Sequence, residues 1–164
     1  MNFKQQRPDP QKSLVGFVVG EVCYAVPISA VREIVNPVPL TELPHAPRGI
    51  AGVADHRGEI VPIVDLRVRF GLSPLPDPRR AKWILIDVEG RGIGLMVDRV
   101  TDVFGTAGAD IKPAPSLGGG EDTRGIAGVT SRGAELIFVL DVARFETLLQ
   151  PIAQQGRLLI EEPR

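Results

Sequence analysis

Long apolar runs are missing from this 164-residue chain. None approaches the ~20 residues that a bilayer-spanning helix needs, so no direct membrane insertion is expected. The start, Met1-Asn2-Phe3-Lys4-Gln5-Gln6-Arg7-Pro8, lacks an apolar stretch of the secretory kind, and the chain reads as cytoplasmic. An excess of one charge is missing too: 19 basic and 20 acidic residues give a formal net charge of −1. Nonspecific nucleic-acid binding needs a strong positive field, so no nucleic-acid partner is expected. Aromatic residues make up 5% of the chain, too few for a base-stacking platform. The single cysteine, Cys23, excludes an internal disulfide and a multi-cysteine metal site. Its run, Val22-Cys23-Tyr24-Ala25-Val26, makes it a small buried apolar residue of a strand.

Catalytic patterns are equally scarce. Gly90, Gly92 and Gly94 lack dinucleotide-fingerprint spacing and fall inside a hairpin pattern. There is no P-loop and no Gly-x-Ser-x-Gly elbow. His45 and His56 lie in separate loop segments without cysteine partners, a poor basis for a metal site. Asp55-His56 has the look of a carboxylate-held base, but no nucleophile is evidently placed for it, and a polar turn is the simpler reading. No catalytic residue, metal or cofactor is expected.

What the chain does have is apolar content of 43%, with 18 glycines and 15 prolines spread along it. Short Val/Ile-rich runs between such residues predict many short strands joined by tight turns. Residues 1–13 are polar and read as a mobile tail, and residues 150–164 as a second tail.

An internal repeat organises the rest. Arg48-Gly49-Ile50-Ala51-Gly52-Val53 recurs letter for letter as Arg124-Gly125-Ile126-Ala127-Gly128-Val129. Arg57-Gly58, then Ile60–Val64, Asp65 and Phe70, parallel Arg132-Gly133, then Leu136–Leu140, Asp141 and Phe145. Upstream, Tyr24–Ile28 and Val31–Val35 parallel Ile93–Val97 and Val100–Phe104. Two copies about 70 residues apart are not a solenoid; they fit a duplication into two small subdomains. In each copy a turn leads into an apolar strand, either buried on both faces or placed in a barrel, and an aspartate (Asp65, Asp141) then caps a short helix. That role is simpler for the two aspartates than a catalytic pair. Val142, Phe145, Leu148 and Leu149 have helical spacing.

Gly20-Glu21 and Gly90-Arg91-Gly92 read as hairpin turns, and Ser29 as the cap of a single helical turn. Ser73–Pro78 links the halves, and Pro113–Gly120 is a second loop. The fold class is mostly β: two small β-barrels of about five strands each, packed together, with a short C-terminal helix. The structured part spans 14–149. Gly58 supplies backbone freedom at the first turn. Arg57 beside it is either a cation reaching outward from a rigid base or a solvated turn arginine, as Arg132 can be.

The run Gly52-Val53-Ala54-Asp55-His56-Arg57-Gly58-Glu59-Ile60-Val61-Pro62-Ile63-Val64-Asp65-Leu66-Arg67 resembles the signature of CheW-like domains, usually G-V-x-N-L-R-G-x-I-V-P-I-x-D-L-R. Tyr24–Ile28, Val31–Ile34, Gly92–Val100 and Ile111–Pro115 are similar to the family's other blocks, in the same order. The likeness covers about Leu14 to Leu149.

The resemblance implies two packed SH3-like barrels and a non-catalytic adaptor. Its partners would be the cytoplasmic tip of chemoreceptors and the regulatory domain of a CheA-type histidine kinase, in arrays beneath the membrane. Arg57 matches the family's receptor-binding arginine. Ile28, Val31 and Glu33 match positions on or near its receptor-facing groove, and Gly52 a glycine near the same loop. Kinase-facing residues are not identified. Asp55 departs from the usual asparagine and could hold Arg57 by an ion pair. His56 departs from the usual leucine, which removes apolar contact worth ~1–2 kcal/mol where it is buried. These departures suggest altered partner choice, and the alternative function is a divergent module that binds only one of the two partners. An SH3-like module for proline-rich peptides would need an aromatic groove that one Trp and one Tyr hardly supply.

Overall fold

A computed structural model describes residues 13–105, 111–113 and 125–146. The expected N-terminal tail ends one residue earlier than read, because Ser13 is buried and opens the first strand; residues 1–12, the C-terminal tail, the loop beyond Pro113, and Leu148 and Leu149 lie outside the described residues. Eleven strands are described. They are β1 (Ser13–Val19), β2 (Val22–Pro27), β3 (Val31–Val35), β4 (Ile50–His56), β5 (Glu59–Asp65) and β6 (Lys82–Val88), then β7 (Arg91–Val97), β8 (Arg99–Gly105), β9 (Lys112–Pro113), β10 (Ile126–Arg132) and β11 (Glu135–Leu140). A four-residue helix, α1 (Leu66–Arg69), follows β5, and a 3₁₀ helix, Val142–Phe145, follows β11. No described helix is long and apolar enough to cross a membrane.

The strands form two sheets of the same plan: β8-β1-β2-β11-β10-β9 and β3-β6-β7-β5-β4. The first repeat comprises β1–β5, and the second β6, β7, β8, β10 and β11. The repeats have exchanged their opening hairpins. β2 pairs in parallel with β11, and β7 in parallel with β5. The Pro-rich stretch at 73–78 links the two repeats, and it does so within one sheet, between α1 and β6.

Period-2 alternation explains the near-continuous apolar strands. Along β6, Ile84, Ile86 and Val88 face a core shared by both sheets, while Trp83 and Leu85 face a core inside the second sheet. Along β2, Tyr24 and Val26 join the shared core, and Ala25 faces a third core inside the first sheet. Phe17, Ile84, Ile93 and Leu95 are at most 1% exposed at this shared core, which packs the two sheets together. Cys23 is only half-buried against the third core, and its Sγ lies 3.4 Å from Glu135 Oε1. Burial, then the Glu135 carboxylate, pushes the thiol pKa up.

Local chemistry follows the repeat. Asp65 Oδ1 accepts from the backbone N–H of Arg67 and Val68, and Asp141 Oδ1 from that of Ala143. The N–H of Asp65 donates to Gly49 O, and that of Asp141 to Gly125 O. Ser29, expected as a cap, lies inside the 3₁₀ turn Ile28–Ala30, which has no side-chain cap. The β6–β7 turn is Glu89-Gly90, with Arg91 and Gly92 already in β7.

Candidate functional site

β4 and β5 close at Arg57-Gly58, between the last ladder pair His56 and Glu59. Both turn residues have positive φ, 53° and 85°. That is the twist-matched two-residue turn, which glycine or asparagine normally fills. Asp55 Oδ1 accepts from the Gly58 N–H at 2.9 Å. Asp55 thus braces the turn and does not hold Arg57, correcting the expected ion pair. Arg57 is held by Glu33 of β3: Nη2 lies 3.0 Å from Oε1, and Glu33 Oε2 lies 3.1 Å from His56 Nε2. The Arg57 side chain is still 75% exposed, so most of its guanidinium fork remains open. Beside it, Arg32 bonds Glu59, Asp87 and the Gly90 carbonyl, fixing neighbouring charges.

The structure also corrects the repeat alignment at this turn. Arg132 pairs with Glu135 at the end of the β10–β11 ladder, as His56 pairs with Glu59. The counterpart of Arg57 is therefore Gly133, whose φ is 60°. Arg57 occupies a left-handed position where the other repeat places glycine. The counterpart of His56 is Arg132, whose Nη1 donates to Asp102 of β8 at 2.6 Å and whose guanidinium stacks over Phe104 at 4.8 Å. Among the described residues no ladder closes either sheet into a ring. Side chains clasp the two open seams instead: Arg132–Asp102 in one, His56–Glu33 in the other.

Glu33 and Arg57 are thus brought together, with His56 between them. Ile28 and Val31 are half-buried against the shared core and do not join that cluster. Gly52 stands away from the turn, under the chain crossing at Thr41. A Cβ there would lie 2.5 Å from the Thr41 carbonyl oxygen, at a φ of 154°. Three depressions adjoin along β3. A groove of about 280 Å³ between β3 and β8 is lined by Ile34, Val35, Lys82, Arg99 and Val100. A smaller apolar cavity shares Val35 and Asn36 with it. A third, of about 270 Å³, shares His56 and holds Glu33, Arg57 and Glu59. Sequence reasoning missed His56 as a clasp and Ile34 and Val100 as groove walls. The constant spacing of the repeat about the turn was the signal for the first. No group of three or more potential metal-binding side chains occurs among the described residues.

This geometry has relatives. A protein named chemotaxis protein CheW from Rhizobium meliloti is 39% identical over 106 residues, covering 65% of this chain and 68% of that protein. Another of that name from Treponema pallidum is 31% identical over 138 residues, covering 82% and 81%. The solved scaffolding protein TtCheW from Thermoanaerobacter tengcongensis matches with a TM-score of 0.72 and 29% identity, over 87% of this chain and 91% of that one. The family model for the CheW-like domain spans residues 13–148, from the first residue of β1 to just past the second capped helix, and the chain belongs to that family.

Proposed function

We propose that this chain is a non-catalytic chemotaxis adaptor, coupling the cytoplasmic tip of a chemoreceptor to the regulatory domain of a CheA-type histidine kinase. In the cell it would be cytoplasmic and recruited to receptor arrays at the membrane. Membership of the CheW-like family and likeness to a scaffolding protein support the coupling role. The observation that carries the site is Arg57: an exposed arginine in a left-handed turn position that the other repeat fills with Gly133. Holding a non-glycine residue there costs free energy, and such strain concentrates where function needs it.

The receptor tip would lie along β3. The three adjoining depressions run beside a five-residue strand, about 16 Å long at the usual rise, which matches about three turns of helix. Ile34 and Val100 would take an apolar helix stripe, and Arg57 an acidic or carbonyl group at the end of the track. Glu33 would act by aiming Arg57. Ile28 and Val31 would support the strand from beneath. Gly58 would permit the turn, and Gly52 the chain crossing.

Calorimetric titration tests this against a receptor-tip fragment and the kinase regulatory domain separately. Arg57→Ala should weaken the tip at least tenfold and leave the kinase domain within twofold. Equal binding of the tip by Arg57→Ala removes the site. Failure of the unsubstituted chain to bind its own system's tip removes the coupling role.

A further inference from the structure

The two sheets differ at the mouths of their seams. In the first sheet Phe104 of β8 sits opposite Leu14 of β1. In the second sheet the same register position pairs Val35 of β3 with Trp83 of β6. Phe104 therefore fills its seam from the edge strand, against Leu14, Ala25, Ile137 and Val139, and Arg132 covers it. In the second sheet the large ring comes from the inner strand. Trp83 is 2% exposed, and Val35 leaves the mouth above it open. The result is a cavity of about 170 Å³ between β3 and β4, walled by Val35, Val38, Ala54, Val61 and Trp83, with His56 at its rim. Trp83 Nε1 is itself closed to solvent and has no hydrogen-bond partner among the described residues, so the cavity offers a guest apolar walls and no indole donor.

We propose that this cavity is a seat for one aromatic side chain of a bound protein segment. The segment's ring takes the place that Phe104 takes in the other sheet, against Val35, Val38, Ala54 and Val61. The seat lies between the groove at β3 and β8 and the cavity at Arg57, sharing Val35 with one and His56 with the other. It rests on the docking track proposed above and adds the partner chemistry: an aromatic residue roughly mid-segment, with the Arg57 contact at one end. His56 sets the entrance, because its Nε2 is tied to Glu33 and cannot fold over the mouth as Arg132 folds over Phe104.

The chain contains one tryptophan, so its indole ¹H–¹⁵N resonance reports Trp83 without assignment. The full chain is titrated with N-acetyl-phenylalaninamide and, separately, with N-acetyl-alaninamide. The phenylalanine amide should shift the indole resonance saturably, with a dissociation constant on the order of a millimolar for a ligand of that size. The alanine amide should not. Val35→Phe rebuilds the filled seam and should abolish the saturable shift. Val38→Phe is a second block at a position 44% exposed, so it leaves the core untouched if Val35→Phe fails to fold. A shift that is equal for the two amides, or that survives both blocks, overturns the seat. With a receptor-tip fragment, the folded blocked variant should bind at least fivefold more weakly, and unchanged tip affinity also overturns it. If the unsubstituted chain binds no tip at all, the coupling role fails, and the amide titration alone decides the seat.

Discussion

Replace Arg57 with glycine and the turn loses its strain along with its cation. A non-glycine residue in the left-handed region costs about 1–2 kcal/mol. Glycine recovers that but adds about 0.5–1 kcal/mol of unfolded-chain entropy. The Arg57–Glu33 pair is mostly exposed on the arginine side and is worth at most about 0.5 kcal/mol. Arg57→Gly should therefore leave stability within about 0.5 kcal/mol of the original, on the stabilised side. Arg57→Ala keeps the strain and loses the pair, so it should be about 0.5 kcal/mol less stable. The two variants should differ by about 0.5–1 kcal/mol although both remove the same side chain. Urea unfolding reads this directly: with a slope of about 2 kcal/mol/M, the midpoints should separate by about 0.3–0.5 M. Gly133→Ala supplies the reciprocal case, since Gly133 holds the equivalent φ of 60° with no atom of the described residues within 4 Å of an added Cβ. It should cost about 1 kcal/mol from conformation alone. Equal midpoints for Arg57→Gly and Arg57→Ala would falsify the strained turn, and with it the argument that the position is kept for binding.

Two other perturbations test the frame beneath the site. Gly52→Ala places a Cβ 2.5 Å from a backbone oxygen, which no side-chain rotation relieves, so thermal unfolding should show a loss of about 3 kcal/mol or more. Asp65→Ala should cost about 1 kcal/mol by removing the cap of α1, whereas Asp65→Asn keeps an acceptor and should cost less. Burial pushes the Asp65 carboxyl above its ordinary value, outweighing the two backbone N–H groups that favour its charge. A carboxyl raised in the folded state contributes stability that is present at acid pH, below the unfolded value, and lost as pH rises through the folded value. Asp65→Asn lacks that loss. Its stability relative to the original should therefore improve between pH 3 and pH 7 in urea unfolding, and a relative decline over that range refutes the burial account.

The family-level implication at the turn changes in content once the geometry is known. His56, read as a lost apolar contact, forms a clasp across an open seam, and Asp55, read as a partner for Arg57, holds the turn backbone. Both departures from the usual signature are thus accounted for within the chain, at the seam and in the turn.

Sequence alone determined whatever depends on near neighbours. The apolar runs made strands, because period-2 alternation across two buried faces leaves no polar side. The glycine-bearing turns closed hairpins, and Asp65 and Asp141 capped helices, because an aspartate two or three residues before a free N–H reaches it without help from elsewhere. The letter-for-letter repeat announced two subdomains of one plan. Tertiary structure decided what joins distant residues. β2 could pair with β5 of its own repeat or with β11 of the other, since both strands carry the same apolar pattern; only packing around the shared core selects β11. The match of Arg57 with Gly133 was legible in the equal spacing from Val53 to Ile60 and from Val129 to Leu136, but Arg-Gly at both turns draws the letters one residue out of step, and the ladder registers restore it. The seam clasps and the cavity over Trp83 depend on which side chains meet across unpaired edges, and no local pattern specifies a contact that the backbone does not make.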